Sequence, residues 1–484
     1  MNFNELKKIS DAVWELPTSF KKGMRVPARI YATEKLIKSM DEGVFSQISN
    51  VACLPGIQNH AFCMPDGHWG YGFPIGGVAA FDLDSGVISP GGIGFDINCG
   101  MRLMTTNLSV DEVRPKLKEL INLLFGNVPT GVGCKSSLRI NLSQFKDIMT
   151  NGAKWCLENG YATKDDIKNI EDEGCIKGAD PSTVSEKATS RGIRQMGTLG
   201  SGNHYLEIQT VSNEDIFDLK IAKKFGIVGN NQIAIMVHCG SRGFGHQIGT
   251  DYLMRFNKKM KDYGMSVPDR ELACAPIKSR EGSDYYKAMA CAANTAFVNR
   301  QMILHSIRET FSKVFNKDPE DMELKLVYDV AHNIAKFEKH IVSGVKKEVL
   351  VHRKGSTRAF GPGQKELPFK YQETGQPVIL GGSMETGSHL LVGTETAMKE
   401  TFGSTAHGSG RTMSRSKAKH LIRGEDLQKE MEKKGIYVKS ASMSSLAEEA
   451  GIAYKNISDV VEALVVSRIS KSIAAFKPIG NIKG

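Results

Sequence analysis

Glycines at positions 67, 70, 72, 76, 77, 91, 92, 94 and 100 crowd one stretch within the first hundred residues, and they constrain its fold more than any other feature. Between and after them lie short β-prone runs at 78–83, 87–89 and 101–108, separated by Gly and Pro turns. That alternation predicts a sheet interrupted by one glycine-rich loop. Glycine at this density lets backbone approach a ligand closely or adopt positive φ, so the loop is also the first place to look for chemistry.

The remaining pattern is mixed. From about 110 to 186 the chain turns helical and charged, with Val113, Leu117, Leu120 and Leu124 on one face, and suggests a helical insertion at about 110–190. Further strands are expected at 232–237, 324–330 and 378–380, each apolar and each running into a polar loop with Gly or His. Long helices are expected over 285–315 and 460–476; in the latter Val460, Val461, Leu464, Val465 and Ile469 form an apolar stripe that reads as core. Strands and helices do not alternate regularly. The expected fold class is therefore α+β with a mixed β-sheet core surrounded by helices, not a doubly wound parallel sheet, while length alone allows one large core or two to three domains.

Composition narrows the functional classes. The 484 residues are 40% hydrophobic and 24% charged, free of low-complexity tracts, so disorder is not the default. A net charge of +10 favours an acidic partner, with nucleic acid one candidate among several. Nine cysteines, an odd number with no C-x-x-C pair, argue against a zinc ribbon or a disulfide framework. Charges at Lys7, Lys8, Asp11 and Glu15 interrupt any signal-like apolar stretch, and no apolar run reaches the ~18 residues of a membrane span. A cytoplasmic protein without a membrane anchor is expected.

Standard nucleotide motifs are missing: there is no G-x-x-x-x-G-K-[ST], no G-x-G-x-x-G, no H-E-x-x-H and no Lys-x-Asp-Gly ligase signature, since Met64 stands where that lysine would be. Five polar residues nevertheless stand in or beside strand-to-loop junctions: Asp96, Cys99, His204, His238 and His332. Carboxylate, thiolate and imidazole bind divalent transition metals, and a shared ligand can bridge two ions close enough to clamp a phosphate. Taken singly, each reads as a structural residue; their joint placement beside glycine-rich loops is what points to metal. His407 lies in a small-residue loop ahead of the basic stretch Arg411, Arg415, Lys417 and Lys419. It reads either as a base or nucleophile beside a phosphate site or as a loop histidine next to a solvated basic helix.

Two long strings, Pro65-Asp66-Gly67-His68-Trp69-Gly70-Tyr71-Gly72-Phe73-Pro74-Ile75-Gly76-Gly77 and Ser89-Pro90-Gly91-Gly92-Ile93-Gly94-Phe95-Asp96-Ile97-Asn98-Cys99-Gly100, resemble the signature of the RtcB RNA-splicing ligases. The resemblance continues through Leu199-Gly200-Ser201-Gly202-Asn203-His204, His238-Cys239-Gly240-Ser241-Arg242-Gly243, His332-Asn333-Ile334-Ala335-Lys336, Arg353-Lys354-Gly355, Ala406-His407-Gly408 and Gly480-Asn481-Ile482-Lys483-Gly484. It spans essentially the whole chain and implies a single large catalytic domain over 1–484, a GTP- and manganese-dependent enzyme that joins RNA 3′-phosphate or 2′,3′-cyclic-phosphate ends to 5′-hydroxyl ends, in tRNA splicing and RNA repair. By the same resemblance Asp96, Cys99, His204, His238 and His332 would hold two Mn²⁺ ions, and His407 would take up GMP. The GMP site would draw on Asn203, His204, Tyr205, Leu206, Glu207, His332, Asn333, Gly381, Gly382, Ser383, Met384, Ser388, His407, Gly408, Ser409, Gly410 and Lys483, with Tyr454 stacking on guanine. Arg411 and Arg415 would engage phosphate, RNA would be the partner, and an archease-type activator belongs to the same expectation.

Three residues depart from the signature. Gly67 and Trp69 stand where other residues are expected, and Glu385 follows Gly381-Gly382-Ser383-Met384 in place of a glycine. An acid at 385 would disfavour GTP if it faced the phosphates. Ligand softness adds a tension: thiolate with imidazoles suggests zinc, whereas manganese comes from the resemblance alone. Two further readings remain, a metal-dependent RNA phosphoesterase or cyclic-phosphate hydrolase that needs no nucleotide, and a non-enzymatic RNA-binding protein with a structural metal.

Overall fold

A computed structural model describes residues 5–136 and 138–484. Two large sheets carry the fold. The first has seven strands in the spatial order Lys7–Ser10, Val13–Leu16, Ala28–Tyr31, Ala61–His68, Ile75–Asp82, Val345–Lys354 and Asn333–Val342. The second runs Lys325–Ala331, Gly100–Ser109, Gln232–Cys239, Tyr205–Val211, Ser470–Lys483, Ser388–Gly393 and Pro377–Gly381, with Tyr437–Ser440 added alongside Ser470–Lys483. Most neighbours are antiparallel; Ala28–Tyr31 with Ala61–His68, and Tyr437–Ser440 with Ser470–Lys483, are parallel. The architecture is the mixed-sheet α+β class that the irregular strand and helix pattern predicts.

The strands expected around 78–83, 87–89, 101–108, 232–237, 324–330 and 378–380 appear as Ile75–Asp82, Val87–Ile88, Gly100–Ser109, Gln232–Cys239, Lys325–Ala331 and Pro377–Gly381. Val113, Leu117, Leu120 and Leu124 are buried as the periodicity requires. The helices of this region, among them Leu117–Asn127 and Leu142–Asn151, pack on the 36-residue helix Arg280–Phe315 and share its hydrophobic core. That long helix is buried on all sides along its middle, which is why its sequence shows Ala, Met, Cys and Asn where an exposed face would carry charge.

The expected helix over 460–476 is half wrong. A helix spans Ile457–Val466, and the chain then turns through Arg468 at a φ of 60° into the strand Ser470–Lys483. The Ser467 hydroxyl caps the break by donating to the Ala463 carbonyl at 2.6 Å. The second half becomes strand because it lies between Ser388–Gly393 and Tyr205–Val211 and satisfies both ladders, a tertiary demand that local periodicity does not register.

Register gathers the site. In the second sheet Ala331 lies opposite Gly100, Gly100 opposite Cys239, and Tyr205 opposite His238. Residues 99, 204, 238 and 332 therefore emerge at one end of four adjacent strands. His332 is also where the chain passes from one large sheet to the other, since Lys325–Ala331 belongs to the second and Asn333–Val342 to the first. The site consequently forms where the two sheets meet.

Candidate active site and metal centre

The loop between Pro90 and Gly100 is held in a narrow shape. Gly94 and Asn98 take φ of 92° and 55°, Asn98 N–H donates to the Asn333 carbonyl at 2.6 Å, and the Asn98 side chain donates to Ala293 O at 2.7 Å. Arg300 on the long helix secures the loop from below: Nη1 donates to the carbonyls of Asn98 and Cys239 at 2.7 and 2.9 Å. Its Nε and Nη2 fork onto Asp329, each at 2.8 Å. Asp329 also accepts from Arg102 Nε at 2.7 Å, so a fully buried Arg–Asp–Arg group lies beneath the junction.

On that support the five predicted ligands converge. Cys99 Sγ lies 3.2 Å from His238 Nε2 and 3.4 Å from His204 Nε2; His238 Nε2 is 3.2 Å from His332 Nε2, and His204 Nε2 is 2.8 Å from Asp96 Oδ2. They fall into two triads that share the thiol, Cys99–His238–His332 and Asp96–Cys99–His204, each with ligand atoms within 4.8 Å of one another. Tautomers follow from the far side of the rings. His204 Nδ1 donates to Leu199 O and His238 Nδ1 to Asn203 O, both at 3.0 Å, so Nε2 of each ring faces the cluster. Burial opposes a charge on His204, but Cys239, Cys99 and Asp96 raise its imidazole well above the usual range. Burial, followed by the charges of neighbouring histidines, keeps His238 and His332 well below the usual imidazole range and therefore neutral. Burial and then the Asp96 carboxylate push the Cys99 thiol up to about 12. A single S–H can donate to only one of the two imidazoles that Cys99 faces, so these closely set donor atoms are better satisfied around a cation. The donor set fits divalent metal, and Cys99 is common to both triads. At Asp96 burial opposes ionisation, yet His204 and Arg242 hold its carboxyl well below the ordinary range. Gly240 is obligatory beside it, because a Cβ there would stand 2.5 Å from both Asp96 oxygens.

His407 follows the short strand Ser404–Ala406, and its ring centroid is 4.7 Å from that of His332. Asp66, at the end of a strand in the other sheet and 0% exposed, accepts from His407 Nδ1 at 2.6 Å and from its backbone N–H at 3.1 Å. Burial works against the Asp66 charge, but His407 and then Lys455 keep its carboxyl below the usual range. An ionised acceptor at Nδ1 leaves the lone pair on Nε2. Lys455 fixes the strand from behind by donating to the carbonyls of Pro65 and Gly67 at 3.0 and 2.6 Å. Asp66 stands inside a quoted motif, but its role as the orienting acid is visible only once the two sheets meet.

A cavity of about 230 Å³ opens between these groups. Its lining includes Asp96, Cys99, His238, His332 and His407 together with Asn203, Tyr205, Asn333, Gly381, Gly382, Ser383, Met384, Gly408, Ser409, Gly410, Arg411, Arg415, Tyr454 and Lys483. His204, Leu206, Glu207 and Ser388 sit behind the wall: Leu206 in the core, Glu207 accepting from Gln209 Nε2 at 2.6 Å, and Ser388 Oγ accepting from the same amide at 3.1 Å. The structure adds Glu449, which nothing in its local sequence singles out. Its buried carboxylate meets Arg411 at 3.2 Å, Arg415 at 3.4 Å, Lys483 at 3.6 Å and the Tyr454 hydroxyl. Arg411 also lies over the Tyr454 ring, 5.0 Å from its centroid.

The three departures have physical accounts. Glu385 turns away from the cavity; it accepts from Lys434 Nζ at 2.8 Å and from Gly451 N–H at 3.1 Å, joining the 383–387 turn to the segment carrying Tyr454. At Gly67 a Cβ would come 2.5 Å from Cys63 Sγ and 3.0 Å from Met64 O, so no larger residue fits. Trp69 is 61% exposed and lies across Gly43, whose missing side chain leaves room for the indole.

Comparison with known proteins agrees with this geometry. A family model described as "tRNA-splicing ligase RtcB" matches residues 47–484. Proteins named tRNA-splicing ligase RtcB are similar over 99% of both chains: 54% identical over 479 residues in Archaeoglobus fulgidus, 53% over 477 in Methanococcus maripaludis and 51% over 480 in Thermococcus kodakarensis. The chain belongs to the RtcB family.

Proposed function

We propose that this protein is an RNA ligase of tRNA splicing and RNA repair, one catalytic unit over 1–484 that joins RNA 3′-phosphate or 2′,3′-cyclic-phosphate ends to 5′-hydroxyl ends through GMP carried on His407. The observation that carries the reading is His407 held by Asp66 with its ring 4.7 Å from a metal-type histidine, at the edge of the cavity lined by Tyr454, Lys483 and the 381–384 loop. Its Nε2 attacks the α-phosphorus of GTP; the N–P bond forms as the P–O bond to pyrophosphate breaks. An oxygen of the RNA 3′-phosphate then displaces the histidine and takes GMP. The 5′-hydroxyl attacks that 3′-phosphorus, its proton is lost, and GMP leaves. A cyclic end is first opened by water.

Asp96, Cys99, His204, His238 and His332 would hold two Mn²⁺ ions, which when bound offset charge on the phosphate oxygens. The chain's own residues do the rest. Asp66 fixes the tautomer of His407, and Tyr454, Lys483 and the 381–384 loop shape the base side. Arg411 and Arg415 exchange Glu449 for phosphate. An archease-type activator and a cytoplasmic setting accompany this reading; among the described residues no helix is long and apolar enough to cross a membrane. A GTP-independent phosphoesterase leaves the His407–Asp66 pair and the adjoining cavity of about 230 Å³ without a task, so the ligase reading is preferred.

The test is incubation with GTP and Mn²⁺ followed by intact-mass measurement, then ligation of a cyclic-phosphate RNA to a 5′-hydroxyl RNA. One added GMP, labile to acid and lost in His407→Ala, is expected. An adduct that survives His407→Ala removes the histidine from its role, and hydrolysis of the RNA end without GTP-dependent joining replaces ligase with phosphoesterase.

A further inference from the structure

The reactive groups form a row. His407 touches His332, His332 touches His238, His238 touches Cys99, Cys99 touches His204, and His204 touches Asp96. Asp96, with its side chain 27% exposed, is the end that faces solvent. The next residue is Phe95, half-buried, and its ring stacks on the exposed ring of His246 at 5.1 Å and 24°. Tyr71 meets Phe95 edge-on at 5.2 Å and 66°. The helix Arg242–Lys259 carries the outer ring and supports the inner one: Phe95 lies close over Gly249, where a Cβ would stand 3.1 Å from Phe95 Cδ1. None of these rings lines the cavity of about 230 Å³, and His246 leaves this aromatic stack open to water beside the proposed reaction centre.

Resting on the ligase reading, in-line displacement decides which end of RNA this surface meets. The leaving GMP comes from the His407 end, so the attacking 5′-hydroxyl approaches from the Asp96 end. We propose that His246, stacked on Phe95, is the platform on which the nucleobase of the nucleotide bearing the 5′-hydroxyl stacks. The nucleotide's phosphate side has cations at hand. Arg242 lies within 3.3 Å of the His204 ring, and the exposed Arg191 runs past Gly243, one turn before His246. Aromatic faces with flanking arginines are how proteins hold single-stranded ends without reading their sequence, because every base offers a π-face.

The probe is an acceptor RNA with a 5′-hydroxyl and 2-aminopurine as its first nucleotide, whose fluorescence is quenched when the base stacks. With the full-length protein and Mn²⁺, quenching is expected in the wild type and its loss in His246→Ala. In ligation, His246→Ala should raise KM for the acceptor about tenfold with little change in kcat, and His246→Phe should restore it. An acceptor abasic at its first position should bind wild type and His246→Ala alike. An unquenched probe on the wild-type protein, an acceptor KM within about twofold in His246→Ala, or a loss that His246→Phe does not repair each overturns the platform. Quenching by a protein that guanylylates nothing and joins nothing supports the platform while removing the ligase reading.

Discussion

Arg300 is the side chain on which most of the centre's geometry depends. It is fully buried and makes two bonds to Asp329 and one each to the carbonyls of Asn98 and Cys239. Arg300→Met keeps the apolar stem and removes all four. Two carbonyls lose a donor, at ~1–3 kcal/mol each for a group left unsatisfied, and a buried ion pair loses one partner, at ~3–5 kcal/mol. These terms overlap, and Arg102 still holds Asp329 at 2.7 Å, so the expected loss is about 4 kcal/mol. With an unfolding entropy of ~2.1 cal/mol/K per residue, a 484-residue chain then melts about 4 °C lower. The larger effect is local. The two released carbonyls belong to the residues preceding and following ligands, Asn98 before Cys99 and Cys239 after His238, so the ligand atoms lose their common support. Affinity for Co²⁺, read from thiolate-to-metal absorption, should fall about 10- to 100-fold. A variant that unfolds in urea like the wild type and binds Co²⁺ as tightly would refute the argument that this arginine holds the cysteine loop in place.

Three other substitutions probe separate links. Asp66→Asn removes the charged acceptor that selects the His407 tautomer; GMP-adduct formation should slow about 100-fold or more while Co²⁺ binding stays near wild type, and an unchanged adduct rate would show that Asp66 does not orient the ring. Glu385→Gln should leave GTP affinity within about twofold, because the carboxylate is committed to Lys434 and Gly451; a tenfold gain would mean that it repels the phosphates after all. Burial, opposed by Lys483, raises Glu207 from 4.5 to about 7. Its folded carboxyl stays protonated after the unfolded one has ionised, so its stabilisation is full below pH 4.5 and is lost as pH rises through 7, by up to about 3 kcal/mol. Urea titrations between pH 4 and 8 should show that slope in the wild type and a flatter one in Glu207→Gln; identical slopes would contradict the shift.

Local patterning made much of the fold legible. Alternating apolar runs and glycine turns placed six strands, and the face of Val113, Leu117, Leu120 and Leu124 marked a helical stretch, Val110–Val113 followed by Leu117–Asn127, on which those four residues are buried. Sequence also carried the chemistry of the ligand types, because thiol, carboxylate and imidazole at strand ends announce their donors wherever they later meet. Tertiary structure alone decided the rest. Residues 470–483 became a strand because two partner strands needed hydrogen bonds, although their helical neighbour continues the same apolar stripe. Glu449, Asp66 and Lys455 gained functional neighbours from far along the chain, His407 being 341 residues from Asp66. Glu385 faces Lys434 and not the cavity, a pairing 49 residues apart that its local sequence does not announce. Period and composition report what each segment can do, whereas convergence depends on sheet register and on which buried charges find partners, and neither quantity is local.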